Sequence, residues 1–165
     1  MTHDGVCVDG GASAAPICVE RMEVRRGHLV CQVAFGAAPR ITSPQLMSRV
    51  LAEIPTLARH ACVNERGTTF AAVMDCTPLP HLLEHLVVDL QVRAEAGQWL
   101  ALSGVAAEAP PHVAGATHDH PIVGTSEWLD EAAGIARIDV SFADDLVALR
   151  AMRDSVAFLN KLLRG

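Results

Sequence analysis

The sequence predicts an α+β domain, an antiparallel sheet of about four strands packed against about three helices. Three observations carry this. Segments 17–36 and 135–142 alternate apolar and polar residues with the two-residue period of half-buried strands. Segments 43–54, 77–97 and 144–164 repeat apolar residues every three or four positions, as amphipathic helices do. With 165 residues the chain has room for one core and not for two.

In chain order, residues 1–16 read as a flexible leader, and 17–165 as a single domain. The segment ICVERMEVRRGHLVCQVAFG reads as a hairpin turning at Arg26-Gly27, with Leu29, Cys31, Val33 and Phe35 on one face. Ser43 followed by Pro44 is an N-cap with proline at the first helical position, and Leu46, Met47, Val50, Leu51 and Ile54 form the apolar stripe that Pro55 ends. The run TTFAAVM is too short for periodicity to separate strand from helical turn. Thr77 is expected to cap the next helix, which tolerates Pro78 and Pro80 in its first turn, turns Leu82, Leu83, Leu86, Val87 and Leu90 inward and stops at Gly97. QWLALSGVA follows as a strand, then a Pro-containing loop with His112, His118 and His120. In IARIDVSF, Ala136, Ile138, Val140 and Phe142 share one face and Arg137, Asp139 and Ser141 the other. Asp144 and Asp145 open the last helix, and Leu146, Leu149, Met152, Val156, Leu159 and Leu163 face inward.

Composition narrows the function. A formal charge of −6 with no basic cluster gives a nucleic-acid backbone little to hold. No apolar run reaches the length that spans a bilayer, and the start lacks a signal-peptide pattern, so the expected location is cytoplasmic. The five cysteines, Cys7, Cys18, Cys31, Cys62 and Cys76, include no close CxxC pair and are expected to be reduced. Self-association into a homo-oligomer is compatible with so apolar a small chain.

The chemistry concentrates in HLLEHLVVDLQ, where His81, Glu84 and His85 stand in the order His-x-x-Glu-His. Residues four apart share a helix face, so His81 and His85 can hold one metal ion while Glu84 acts as general base toward a bound water. This is the inverted-zincin arrangement. On a helical wheel the three lie opposite the apolar arc. Its bland alternative is an ordinary polar helix face.

The segment IPTLARHACVNERGTTFAAVMDCTPLPHLLEHLVVDLQ resembles the N-terminal domain of cyanophycin synthetase. The features that carry the resemblance are His60-x-Cys62, Gly67 with Phe70, the central motif and Asp89-Leu90-Gln91, followed more weakly by GIARIDVSFADD and the final helix. The resemblance implies a single layered domain that in some members behaves as a metallopeptidase and hydrolyses a polymer with an aspartate backbone and arginine side chains. It does not extend to ATP-dependent ligation, because the nucleotide-binding domains of the synthetases cannot fit in this chain. Ser141 stands where the family strand usually has a carboxylate.

A catalytic zinc needs a third protein ligand. Asp144 and Asp145 are the preferred candidates, since packing of the last helix could bring them against the motif. Glu127, Glu131, His60 and His118 are the alternatives. His60 with Cys62 is also weighed as a thiol and imidazole pair. Two functions follow: a zinc-dependent hydrolase of peptide or isopeptide bonds acting on a peptide-like or polymeric substrate, or a non-catalytic module that binds peptides or self-associates.

Overall fold

The structure, a computed structural model, describes residues 2–4, 15–97 and 121–165. Its elements are strands β1 (Thr2–Asp4), β2 (Cys18–Arg25) and β3 (His28–Ala34), helix α1 (Pro44–Glu53), a 3-10 turn (Pro55–Arg59), strands β4 (Ala61–Asn64) and β5 (Gly67–Thr69), and a second 3-10 turn (Phe70–Ala72). Helix α2 (Leu79–Glu95), strands β6 (Gly124–Asp130) and β7 (Ile135–Ser141), and helix α3 (Asp145–Arg164) follow. The expected strand at 98–106, Trp99, His112, His118, His120, Cys7 and most of the leader lie outside the described residues. Of the leader, Thr2–Asp4 lies beside β2 as a short strand.

The main sheet is antiparallel, in the order β1-β2-β3-β7-β6. Its hairpin turns at Arg26-Gly27, where Gly27 takes a φ of 75°, a left-handed value that costs glycine nothing. Register then sets the core: Leu29 faces Val140, Cys31 faces Ile138 and Val33 faces Ala136, and all six are fully buried. The other sheet face is polar, with Gln32 donating to Glu20 at 2.9 Å and His28 2.8 Å from Asp139. One covered face and one polar face is the usual economy of an antiparallel sheet.

Helix α1 begins where Ser43 accepts a hydrogen bond from the Leu46 N–H at 3.3 Å and ends at Ile54, before Pro55. TTFAAVM is both things at once: β5 closes a two-stranded sheet with β4, and Phe70 then opens a 3-10 turn. Gly97 follows α2 in the left-handed conformation, its N–H bonded to the Ala94 carbonyl. Two expectations need correction. Thr77 does not cap α2: Pro78 occupies the N-cap without a side-chain bond, because the Thr77 hydroxyl is engaged with His81. Nor are all cysteines reduced. Cys31, Cys62 and Cys76 are free, but Cys18 is disulfide-bonded. The absence of a close sequence pair says little about which sulfurs folding brings together.

No helix among the described residues is long and apolar enough to cross a membrane.

Candidate metal centre

Twelve of the seventeen residues of α2 are buried, so it is a central helix covered on nearly every side. The motif face does point away from the apolar arc, yet Glu84 and His85 are as buried as the core. The two 3-10 turns and β4 cover this face on one flank, and β6 covers it on the other. Phe70, fully buried, lies with its ring centroid 4.2 Å from that of His85 and edge-on to His81 at 5.4 Å.

Against this wall three donor atoms converge. His85 Nε2 is 3.1 Å from His81 Nε2, and Cys62 Sγ is 3.5 Å from His81 Nε2. One ligand atom from each of Cys62, His81 and His85 fits within 4.8 Å of the others, and the group could hold a metal ion. Bond lengths of a tetrahedral zinc site imply edges of about 3.3 Å between two nitrogens and about 3.6 Å between nitrogen and sulfur. The His81–His85 and Cys62–His81 spacings match those edges closely. Two imidazoles and a thiolate are also donors that suit such an ion chemically.

The remaining ring nitrogens are occupied. Thr77 Oγ1 lies 2.8 Å from His81 Nδ1, His60 Nδ1 lies 3.3 Å from His85 Nδ1, and His60 Nε2 lies 2.9 Å from Asp89 Oδ1. Asp89 accepts a further bond from Thr56 at 2.8 Å and pairs with Arg93 through its other oxygen. Outer partners of this kind fix the rings of metal-binding histidines in many proteins.

Burial sets the protonation of the cluster. It lowers the pKa of His81, and it pushes His85 down to about 3, helped by the neighbouring imidazoles of His81 and His60. Both rings are therefore neutral at neutral pH, the form that ligates. Burial also raises the carboxyl of Glu84, against the opposing hydrogen bond that Ser126 donates to Oε2 at 2.7 Å. In Asp89 burial pushes upward, but the bonds from His60, Thr56 and Arg93 and the Arg93 charge outweigh it and hold the carboxyl low.

Glu84 looks across at β6, where the fold leaves room only for backbone. A Cβ on Gly124 would sit 2.6 Å from Glu84 Cγ and 2.9 Å from Oε1. Gly124→Ala should therefore displace the Glu84 carboxylate and cost about 1–3 kcal/mol, as overpacking of a dense interior does. Denaturant unfolding tests this, and stability equal to wild type would show that the approach is looser than described. Between β4, α2 and β6 runs a cleft of roughly 890 Å³ onto which Cys62, His81, Glu84 and His85 open. Trp128 forms part of its wall, held edge-on by Phe35 and overlaid by Arg40, whose guanidinium also bonds the Ala38 and Glu131 carbonyls.

Of the residues singled out in the sequence, His81, Glu84 and His85 are together. Asp144 and Asp145 are not part of the group: Asp144 caps α3 by accepting from the Val147 N–H at 3.1 Å, and Asp145 is exposed in the first turn. Glu127 borders the cleft but lies 3.9 Å from Arg137. Cys62, Thr77, Asp89, Gly124 and Ser126 complete the surroundings.

These features define an α+β domain with a buried Cys-His-His cluster on a central helix. Residues 30–100, which run from β3 through that helix, match the family model of the cyanophycin synthase-like N-terminal domain. No curated protein and no solved structure matches the chain.

Proposed function

We propose that this domain is a zinc-dependent hydrolase of peptide or isopeptide bonds, with Cys62, His81 and His85 as the protein ligands and Glu84 as the general base. The observation that carries the proposal is the convergence of three donor atoms beside a buried carboxylate that opens on the same cleft. Three protein ligands leave a fourth position, the pattern of catalytic rather than structural zinc. Bound there, zinc would supply Lewis acidity that lowers the pKa of water and polarises a carbonyl.

The chain's own residues do the rest. Glu84, its carboxyl raised by burial, exchanges protons closer to neutrality than a free carboxylate does, and so can take a proton from water and return it to the leaving amine. Ser126 orients the carboxylate through its hydroxyl. Phe70 packs its ring against His85 and so backs the cluster with apolar surface. The family match points to a cyanophycin-like polymer as the substrate to test first.

Metal content of the purified protein should be near one equivalent of zinc in the wild type and near none in the His81→Ala/His85→Ala variant. Glu84→Gln should keep the metal and lose hydrolysis of aspartate–arginine oligomers. Equal and negligible zinc in wild type and double variant would end the metal proposal, and full turnover by Glu84→Gln would end the assignment of the base. Binding of such oligomers without cleavage would favour a peptide-binding module instead.

A further inference from the structure

We infer that Asp89 and His60 are positioning residues that lock His85 in the tautomer whose Nε2 lone pair faces the cluster, whereas Thr77 leaves His81 free to adopt either tautomer. The functional meaning of this rests on the metal proposal above; the proton placement rests on the hydrogen-bond geometry of neutral rings.

The placement follows from what each atom can do. Asp89 is 3% exposed, and its carboxylate, fastened by Thr56 and Arg93, can only accept. His60 Nε2, 2.9 Å away, must then donate to it, and in the neutral form of that ring Nδ1 presents a lone pair. His85 Nδ1 meets that lone pair at 3.3 Å and must donate. Its single hydrogen is used, and Nε2 is left as an acceptor 3.1 Å from His81 Nε2.

At His81 the outer partner is a hydroxyl, which both donates and accepts. In the metal-free protein Thr77 donates to His81 Nδ1, and His81 donates from Nε2 to the waiting lone pair of His85. For both Nε2 atoms to serve an ion, His81 would have to carry its hydrogen at Nδ1, where Thr77 would accept it. Ion binding thus requires one tautomer change, at His81, and none at His85.

The test uses the full chain, labelled with nitrogen-15, and zinc as the probe. Long-range proton–nitrogen correlation spectra read each imidazole's tautomer directly. The expected result is His85 protonated at Nδ1 both without and with zinc, and His81 changing from Nε2–H to Nδ1–H on loading. His60→Phe should mix the His85 tautomers and weaken zinc binding, measured by competition with a chromophoric chelator, by about 10- to 100-fold. His60→Gln, whose amide oxygen can accept from His85 Nδ1, should recover part of that loss. If His60→Phe does not fold, Asp89→Asn serves with the same spectra, because an amide can donate to His60 and so release the chain of tautomers. His85 protonated at Nε2 in the metal-free wild type, or zinc affinity within twofold of wild type in His60→Phe, would overturn the positioning role. A wild type that binds no zinc would remove the metal proposal alone, and the His85 tautomer would then decide the proton placement.

Discussion

Cys62→Ala should weaken zinc binding by on the order of 100-fold without unfolding the domain. The magnitude comes from sharing the roughly 10–16 kcal/mol of apparent zinc affinity in four-ligand sites among their ligands, which gives about 3 kcal/mol each. Cys62 is a small residue at the second position of β4, so truncation removes one sulfur and little packing. In the cobalt-substituted protein, the sulfur-to-metal charge-transfer absorption present in wild type should vanish in the variant. The rival use of the same atoms is a thiol nucleophile with His81 as its base, since Sγ and Nε2 are 3.5 Å apart. Such an enzyme would lose turnover in Cys62→Ala with its metal content unchanged, and a chelator would not inhibit the wild type. The position of His85 Nε2 argues against that rival, because a thiol and imidazole pair has no use for a second imidazole aimed at the base.

The strands and helices whose inner faces are apolar were legible from periodicity, down to the Arg26-Gly27 turn and the Ser43 cap. β6 was not. Its inward residues begin with Gly124 and Ser126, which face the Glu84 carboxylate rather than the core, so the alternation that marks a buried strand is missing there. Its neighbour β7, facing the core, alternates cleanly. The same logic hid Thr77: a threonine before a proline at a helix start satisfies the capping pattern, and only the fold reveals that its hydroxyl serves His81.

Cys62 is within reach of sequence reasoning once the extended segment is set beside the motif helix. His60 and Cys62 are two residues apart in extended chain, a rise of about 6.6 Å, and His81 and His85 are four apart on a helix, a rise of about 6 Å. Laid side by side, the two segments pair in register, His60 with His85 and Cys62 with His81. Asp144 and Asp145, at the start of the last helix, do not join the cluster. There, the helix N-terminus has a prior claim on the Asp144 carboxylate.

Acidification should destabilise the metal-free protein well before carboxylates titrate in the unfolded chain. The folded pKa of His85 is near 3, whereas an unfolded histidine titrates near 6.5. Above the unfolded value both states are neutral and the full stability is present. Below it the unfolded chain takes up a proton that the folded ring refuses, and stability falls by about 1.4 kcal/mol per pH unit until the folded pKa is reached. Between pH 6.5 and 5 that amounts to about 2 kcal/mol from His85 alone, a large share of a marginal total. His81, lowered by burial, acts in the same direction. Glu84 opposes them: its raised carboxyl takes up a proton first in the folded state, which adds stability as the pH falls. Asp89, held low when folded, contributes its loss only below the unfolded aspartate value, outside this window. Urea unfolding in the presence of a chelator at pH 7 and pH 5 measures the slope, and His85→Gln should flatten it by about one proton. Parallel slopes in wild type and variant would mean that His85 is protonated inside the fold at pH 5. Its Nε2 would then carry a hydrogen in place of the lone pair that the cluster requires.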